Sequence, residues 1–287
     1  ATDQGQGLKT TLAQVCASQI GVSIGDIEVL SGDTRHVSLG LGAFASRQAV
    51  TAGSSVHVAS IAVRNKILKV AAHLLETAEE DLDISGGVVS VRGVTKISVT
   101  LGEVARAVQG MPGFSLPGEV EPGMEASATF TPSTQTYCNG VHVAEVEVDP
   151  GTGNIQVLNY VIVHDSGKLI NPTIVEGQIT GGAAHGLGCA LFERMIYDEQ
   201  GQPQTTNFAD YLLPTAPEVP FFDVVHMESP TPLNPLGVKG AGEGGTIPVT
   251  SAIASAVEDA LSPFGIIIQD LPIEPARIVE MIRENTL

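Results

Sequence analysis

Residues 141–165, VHVAEVEVDPGTGNIQVLNYVIVHD, alternate apolar and polar side chains on both sides of DPGTG. Successive side chains of a strand face opposite sides of a sheet, so this pattern predicts two antiparallel strands joined at a glycine-containing turn. The rest of the chain must be arranged around that hairpin. Residues 7–21 place Leu8, Leu12, Val15 and Ile20 near helical spacing, and a strand-like IEVL follows at 27–30. A long glycine-containing loop spans 32–48. Over 54–80, Val56, Val63, Ile67, Val70 and Leu74 recur at threes and fours, the clearest helix in the chain. Short strands are expected at 82–84 and 88–91 around Gly86 and Gly87, and the Pro-, Gly-, Ser- and Thr-rich run 110–136 marks a surface connection or an internal boundary near 110–137. Beyond the hairpin, 174–193 reads as a glycine-rich helix able to approach a neighbour or a ligand closely. Strands are expected at 221–227 and 265–268, and helices at 249–261 and 275–285. Helices and strands mix without a steady βαβ rhythm, so the fold class is α+β, with mixed helices and sheets in two packed subdomains.

Composition narrows the function classes. The 287 residues hold 43% apolar and 16% charged residues, enough to bury a sizeable core as one large domain or two packed ones. A net charge of −18 repels phosphate backbones and anionic membranes, which argues against nucleic acid as a partner. Cys16, Cys138 and Cys189 are far apart and include no CxxC pair, so their spacing supports neither a disulfide framework nor a zinc or iron–sulfur site and fits a reducing cytoplasm. No apolar stretch is long enough to insert into a membrane, and no charged-then-apolar signal pattern opens the chain.

Three glycine-containing segments carry the chemistry. In KGAGEGGT, 239–246, a single carboxylate, Glu243, stands in a run of glycines ahead of an apolar helical pattern. The segment fits GxGxxG, with Asp270 closing the next strand, but the preceding NPLGVKG contains Pro235 and no strand run. Too little chain follows for a dinucleotide fold. A Walker A loop is absent, because GKL at 167–169 lacks the Ser/Thr and the upstream glycine. Two readings of Glu243 stand: an acid at the start of a helix near 246–248, or a general base. Asp3-Gln4-Gly5-Gln6-Gly7 opens a helix running through Thr10 and Thr11, where free backbone N–H groups can hold an anion. Ala45-Ser46-Arg47-Gln48 sets hydroxyl, guanidinium and amide on consecutive residues, which is phosphate-binding equipment or a solvated loop.

QGQGLKTTLAQ, GLGAFASRQAVTAG, HDSGKLINPTIVEGQITGGAAHGLG and KGAGEGGTIPVTSAIASAVEDAL occur in order over most of the chain. Together they resemble the molybdenum hydroxylases of the xanthine dehydrogenase, aldehyde oxidoreductase and aerobic carbon monoxide dehydrogenase family, in the C-terminal part of the molybdopterin-binding large subunit. The resemblance makes 1–287 such a region of a larger or split subunit, with Glu243 as the base beside molybdenum. By the same matching Gly5, Gln6, Gly7 and Thr10, then Ala45, Ser46, Arg47 and Gln48, and Lys239, Gly240, Ala241 and Gly242 line the cofactor, with Gln178 a further contact. No metal ligand comes directly from the protein. His185 departs from the family pattern, which commonly has Gln there, and receives no role.

The reaction implied is oxidative hydroxylation, using water, of a nitrogen heterocycle or an aldehyde. The cofactor implied is molybdenum with molybdopterin, as the cytosine dinucleotide form in a bacterium. Electrons would pass to [2Fe-2S] clusters and FAD on partner subunits, because this chain has cysteines for neither cluster. A carbon monoxide dehydrogenase-type subunit and a non-catalytic cofactor carrier or assembly module are the alternatives. Because only Ala1 and Thr2 precede the first cofactor-binding turn, its supporting strand is expected in the remaining half of the large subunit, together with the substrate loop.

Overall fold

The computed structural model describes residues 1–37, 40–110, 116 and 120–286, and the chain falls into two units. The first comprises Ala1–Thr136 with Thr231–Val238, and the second Tyr137–Pro230 with Lys239–Leu287. Part of the connection expected over 110–136, namely 111–115 and 117–119, lies outside the described residues, as do 38 and 39 of the expected loop.

In the first unit, helix α1 (Leu8–Ile20) lies against the long helix α2 (Gln48–Leu75). α2 starts earlier than its apolar spacing announces, because Gln48 and Val50 are buried and Gly53, lacking a side chain, lets Leu236 approach to 3.2 Å of where a Cβ would sit. Strands β1 (Leu82–Ser85), β2 (Val88–Val91) and β3 (Val94–Thr100) form an antiparallel sheet in that order, and α3 (Leu101–Ala107) follows. Ile67, Val70 and Ala71 of α2 share a core with Leu82, Ile84, Val89, Val99 and Val104. The sequence pattern announced neither β3 nor α3. β3 buries only Val99, so it shows no two-residue period, while α3 is announced locally by a capping box in which Thr100 and Glu103 satisfy each other's backbone N–H.

The second unit is built on the hairpin. β4 (Asn139–Val148) and β5 (Ile155–Asp165) pair antiparallel from Asn139↔Asp165 to Val148↔Ile155, with a register shift between Glu145 and Val146. Helix α4 (Pro172–Leu191) carries the chain to β6 (Phe222–Met227), which pairs parallel with β5. Helices α5 (Val249–Ala260) and α6 (Pro275–Thr286) complete the unit. Tyr160 and Ile162 of β5, Ile179, Ala183 and Leu187 of α4, Val249, Ile253 and Val257 of α5, and Ile278 of α6 form its core. α4 starts where its sequence dictates, with the Asn171 side chain accepting from Ile174 N at 3.1 Å and proline in the first turn. Its glycines serve a neighbour: a Cβ at Gly186 would lie 2.6 Å from Val249 Cβ, and one at Gly182 would lie 2.9 Å from Thr246 Oγ1.

Two expected strands do not form. Over 27–30 the backbone is extended at Ile27 (φ −103°, ψ 119°) but finds no strand partner among the described residues. Over 265–268, Ile266 is buried in the core while the backbone joins no ladder among them. At 265–268 Ile266 anchors a loop, a use that a short apolar run shares with a strand, whereas Leu30 is exposed at the end of the 27–30 run.

The turn of the hairpin is tied to α6. Gly153 has φ +73°, its N–H bonds Asp149 O at 2.7 Å, and a methyl group there would run into the backbone of Pro275. Gly153→Ala is expected to lower unfolding free energy by more than the ~1–3 kcal/mol of backbone strain alone. Gly201→Ala, at φ +80° with nothing within 4 Å, should show only the strain, and equal losses in urea melts of the two variants would refute the contact.

Candidate functional site

Two clusters, one in each unit, hold the residues that the glycine motifs singled out. In the first, Gly5 (φ +97°) and Gly7 (φ +74°) put the chain through left-handed turns that only glycine adopts without strain, and α1 starts from Gly7 with no side-chain cap. Gln6 is held between them: its Oε1 accepts from Gln4 N at 2.5 Å, and its Nε2 donates to Thr2 O at 2.9 Å and to Gln48 Oε1 at 3.2 Å. Gln48 in turn donates to Gly42 O at 2.9 Å. The amide–amide bond joins the 5–7 and 45–48 segments, which are far apart in sequence. Thr10 is exposed on the first turn of α1.

Ala45 (φ 52°) and Ser46 (φ 50°) occupy the left-handed region although neither is glycine, and Arg47 follows in the right-handed region (φ −95°, ψ −12°). Such a left–right alternation turns successive N–H groups to one side and makes an anion-binding concavity. Backbone strain at two consecutive non-glycine residues, about 1–3 kcal/mol each, marks a place kept for something other than stability. The Arg47 guanidinium stacks over the Phe44 ring at 4.2 Å, and its buried Nε has no hydrogen-bond partner among the described residues. An unmet buried donor next to a left–right turn is suited to an anionic, hydrogen-bond-rich ligand.

In the second unit, the loop that carries Glu243 is fastened at its beginning. Lys239 N donates to Ser166 O at 2.6 Å, while Lys239 Nζ reaches Asp165 Oδ2 at 2.8 Å and Ser229 Oγ at 2.9 Å. Asp165, at the end of β5, also accepts from Gly167 N at 2.8 Å and Ser229 N at 3.1 Å, and from the Ser229 hydroxyl. Burial alone would raise the Asp165 pKa, but the bonds from Lys239, Ser229 and Gly167 outweigh it and hold the carboxyl well below the usual carboxylate range. The Lys239 ammonium is therefore committed to the scaffold.

Past Lys239 the loop is walled on both sides. A side chain at Gly244 would strike the His164 imidazole and come within 3.2 Å of Cys138 Sγ, and one at Gly245 would meet the Ile179 carbonyl. Ile179 follows Gln178 on α4, so the half-buried Gln178 belongs to the turn of helix against which this loop lies. Between these walls Glu243 is exposed, and its carbonyl accepts from Thr246 N (3.0 Å) and Ile247 N (3.2 Å) in the turn leading to α5. The helix itself begins at Val249, after Pro248, which makes no side-chain cap bond.

The walls contain groups that the motif reading passed over: Cys138, His142, His164, Asp165, Ser166, His226 and Ser229. His164 is 1% exposed, and neither of its ring nitrogens has a hydrogen-bond partner among the described residues. Burial, reinforced by the neighbouring His226 and His142, lowers its pKa to about 4, and Asp165 offsets this only in part. His142 shares a 3.0 Å hydrogen bond with the Tyr160 hydroxyl, and burial lowers its pKa as well, against a contact with the Gly244 backbone. Burial pushes the Cys138 thiol up, and Lys239, Asp165 and Glu243 are close enough to act on it. Ser166 Oγ is another buried group without a partner among the described residues. HDSG, 164–167, was the one available signal, since two ionisable residues at a strand end before a glycine turn are unusual inside an apolar run.

These clusters can be set beside known proteins. The profile of the molybdopterin cofactor-binding domain matches residues 1–220. The nicotine 6-hydroxylase large subunit of Paenarthrobacter nicotinovorans is 43% identical over 276 residues, which are 96% of this chain and 34% of that protein. The crystal structure of quinoline 2-oxidoreductase from Pseudomonas putida 86 superposes with a TM-score of 0.87 at 41% identity, over 99% of this chain and 36% of its own. That of the Cu,Mo-CO dehydrogenase in its carbon monoxide reduced state gives a TM-score of 0.89 at 32% identity, over 100% of this chain and 36% of its own. The chain thus spans about a third of the length of the relatives it matches.

Two measurements check the anchoring. Lys239 and Asp165 are 10% and 12% exposed, so Lys239→Met leaves a nearly buried carboxylate unpaired and should cost ~3–5 kcal/mol, whereas breaking the exposed Arg277–Glu280 pair should cost under ~1 kcal/mol. Similar urea midpoints for the two variants would refute the distinction. For His164, the unfolded imidazole (pKa about 6.5) takes up a proton that the folded one refuses until about pH 4, so its stability contribution is present above that window and lost as pH falls through it. The melting temperature should drop between about pH 7 and pH 4.5, and His164→Gln should flatten the slope.

Proposed function

Because this chain belongs to the family of molybdopterin cofactor-binding domains, we propose that it is part of a molybdenum hydroxylase large subunit and supplies cofactor contacts and the catalytic base. The reaction would be oxidative hydroxylation of a carbon in a nitrogen heterocycle, with water as the oxygen source. The heterocycle is favoured over an aldehyde or carbon monoxide because the nicotine and quinoline enzymes are 43% and 41% identical to this chain, against 32% for the carbon monoxide enzyme.

The residues present suit such a cofactor. The left–right turn at Ser46 and Arg47 and the unmet Arg47 Nε fit phosphate oxygens, which supports a dinucleotide form, and in a bacterium the cytosine form. By resemblance, Gly5, Gln6, Gly7, Thr10 and Ala45–Gln48 would offer contacts to it, and so would Gln178 and Lys239–Gly242. When bound, the cofactor supplies a Lewis-acidic redox centre that activates water and takes up two electrons. Glu243 does the proton work: its carboxylate accepts the proton that the attacking oxygen must lose. Cys16, Cys138 and Cys189 are free thiols, so the electrons would leave through [2Fe-2S] clusters and FAD on partner subunits.

The observation that carries this reading is the single exposed carboxylate on a loop whose start is bound to Asp165 and whose flanking glycines are walled by His164 and Ile179. A loop that only held a cofactor would need the glycines and the anchor but no acid. Glu243→Gln in the assembled enzyme should retain molybdenum and lower kcat about 10²- to 10⁴-fold, the range for a general base. Unchanged turnover would remove Glu243 from the reaction and leave a cofactor-carrier module as the better reading.

A further inference from the structure

We propose that His185, Cys189 and Glu193 form a separate binding site for a borderline divalent cation of the Zn²⁺ class. His185 and Cys189 stand one turn apart on α4, and Glu193 lies just beyond the end of that helix. One nitrogen, one sulfur and one carboxylate oxygen from the three lie within 4.8 Å of one another. In a tetrahedral zinc site with bonds of ~2.0–2.3 Å the donors are ~3.4–3.8 Å apart, a closure of about 1 Å that side-chain rotation supplies. The mixed N, S, O set suits zinc better than the oxygen-seeking Mg²⁺ or Ca²⁺. Three protein ligands leave one position for water.

The surroundings hold the carboxylate in place. Phe192 N and Glu193 N both donate to Gly188 O, at 2.9 and 2.8 Å, which fixes the backbone where α4 ends. The Glu193 carboxylate folds back into the space that a side chain at residue 188 would fill, which is the use of glycine there. Tyr211 Oη donates to Glu193 Oε2 at 2.6 Å, which orients the carboxylate. A ligating carboxylate oriented by a second hydrogen bond is the usual support of a metal site. The adjacent Arg194 does not compete for Glu193, because it pairs with Glu274 at 2.7 Å. Nothing in the molybdenum reading uses these residues, so the site stands or falls independently of it.

Cobalt(II) is the probe, because thiolate coordination gives it an intense near-ultraviolet charge-transfer absorption. The full chain, stripped with chelator, should take up one equivalent of Co²⁺ with that absorption and lose it on addition of Zn²⁺. Cys189→Ser should abolish the absorption while Cys16 and Cys138 remain. His185→Gln, at an exposed position, should weaken binding at least tenfold without altering the far-ultraviolet circular dichroism. Tyr211→Phe should weaken it by about tenfold. The proposal is overturned if the wild-type chain shows no charge-transfer absorption at stoichiometric Co²⁺, or if the absorption survives Cys189→Ser.

Discussion

The Asp165 carboxylate at the end of β5 is the constraint on which the second cluster depends. It collects bonds from Lys239, Ser229 and Gly167, and so gathers three loop segments at one strand end. In a medium where charge is poorly solvated, an acid of this kind is tolerable only when fully satisfied, and satisfying it dictates where the chain after Val238 must go. The placement of Glu243 follows from that demand. Position here comes from an electrostatic obligation several residues away and is transmitted by glycines that admit no deviation.

The strongly periodic parts of the fold could be read from the sequence. The hairpin, α1, α2, α5 and α6 each expose one face and bury the other, and that asymmetry is written in residue spacing. β3 and α3 escaped because a strand that buries one residue and a helix of seven carry almost no pattern, and only the Thr100–Glu103 box betrayed them. The runs 27–30 and 265–268 misled for the opposite reason. Their apolar residues have the composition of a strand, but whether a ladder forms is decided by a partner elsewhere in the chain.

The site was legible to the extent that its chemistry is local. The glycine turns and the acid announced themselves, because glycine where backbone must bend and a single carboxylate within a glycine run are visible in one dimension. The Gln6–Gln48 bond joins segments far apart in sequence, and the walls of His164, Cys138 and Ile179 come from β5, the residue just before β4, and α4. No spacing rule reaches across such separations. His185 illustrates a subtler limit. Its companion donors, Cys189 and Glu193, stand one helical turn away and just past the helix end, a spacing that no CxxC rule covers.

The confinement of Gly244 and Gly245 bears on how this loop can be altered. With an imidazole on one flank and a peptide carbonyl on the other, neither position accepts even a methyl group without displacing part of the scaffold. These two positions are therefore closed to the small, cumulative side-chain changes by which laboratory evolution usually proceeds. A library aimed at new selectivity would waste its diversity on this loop, and its productive positions must be sought where the backbone has room.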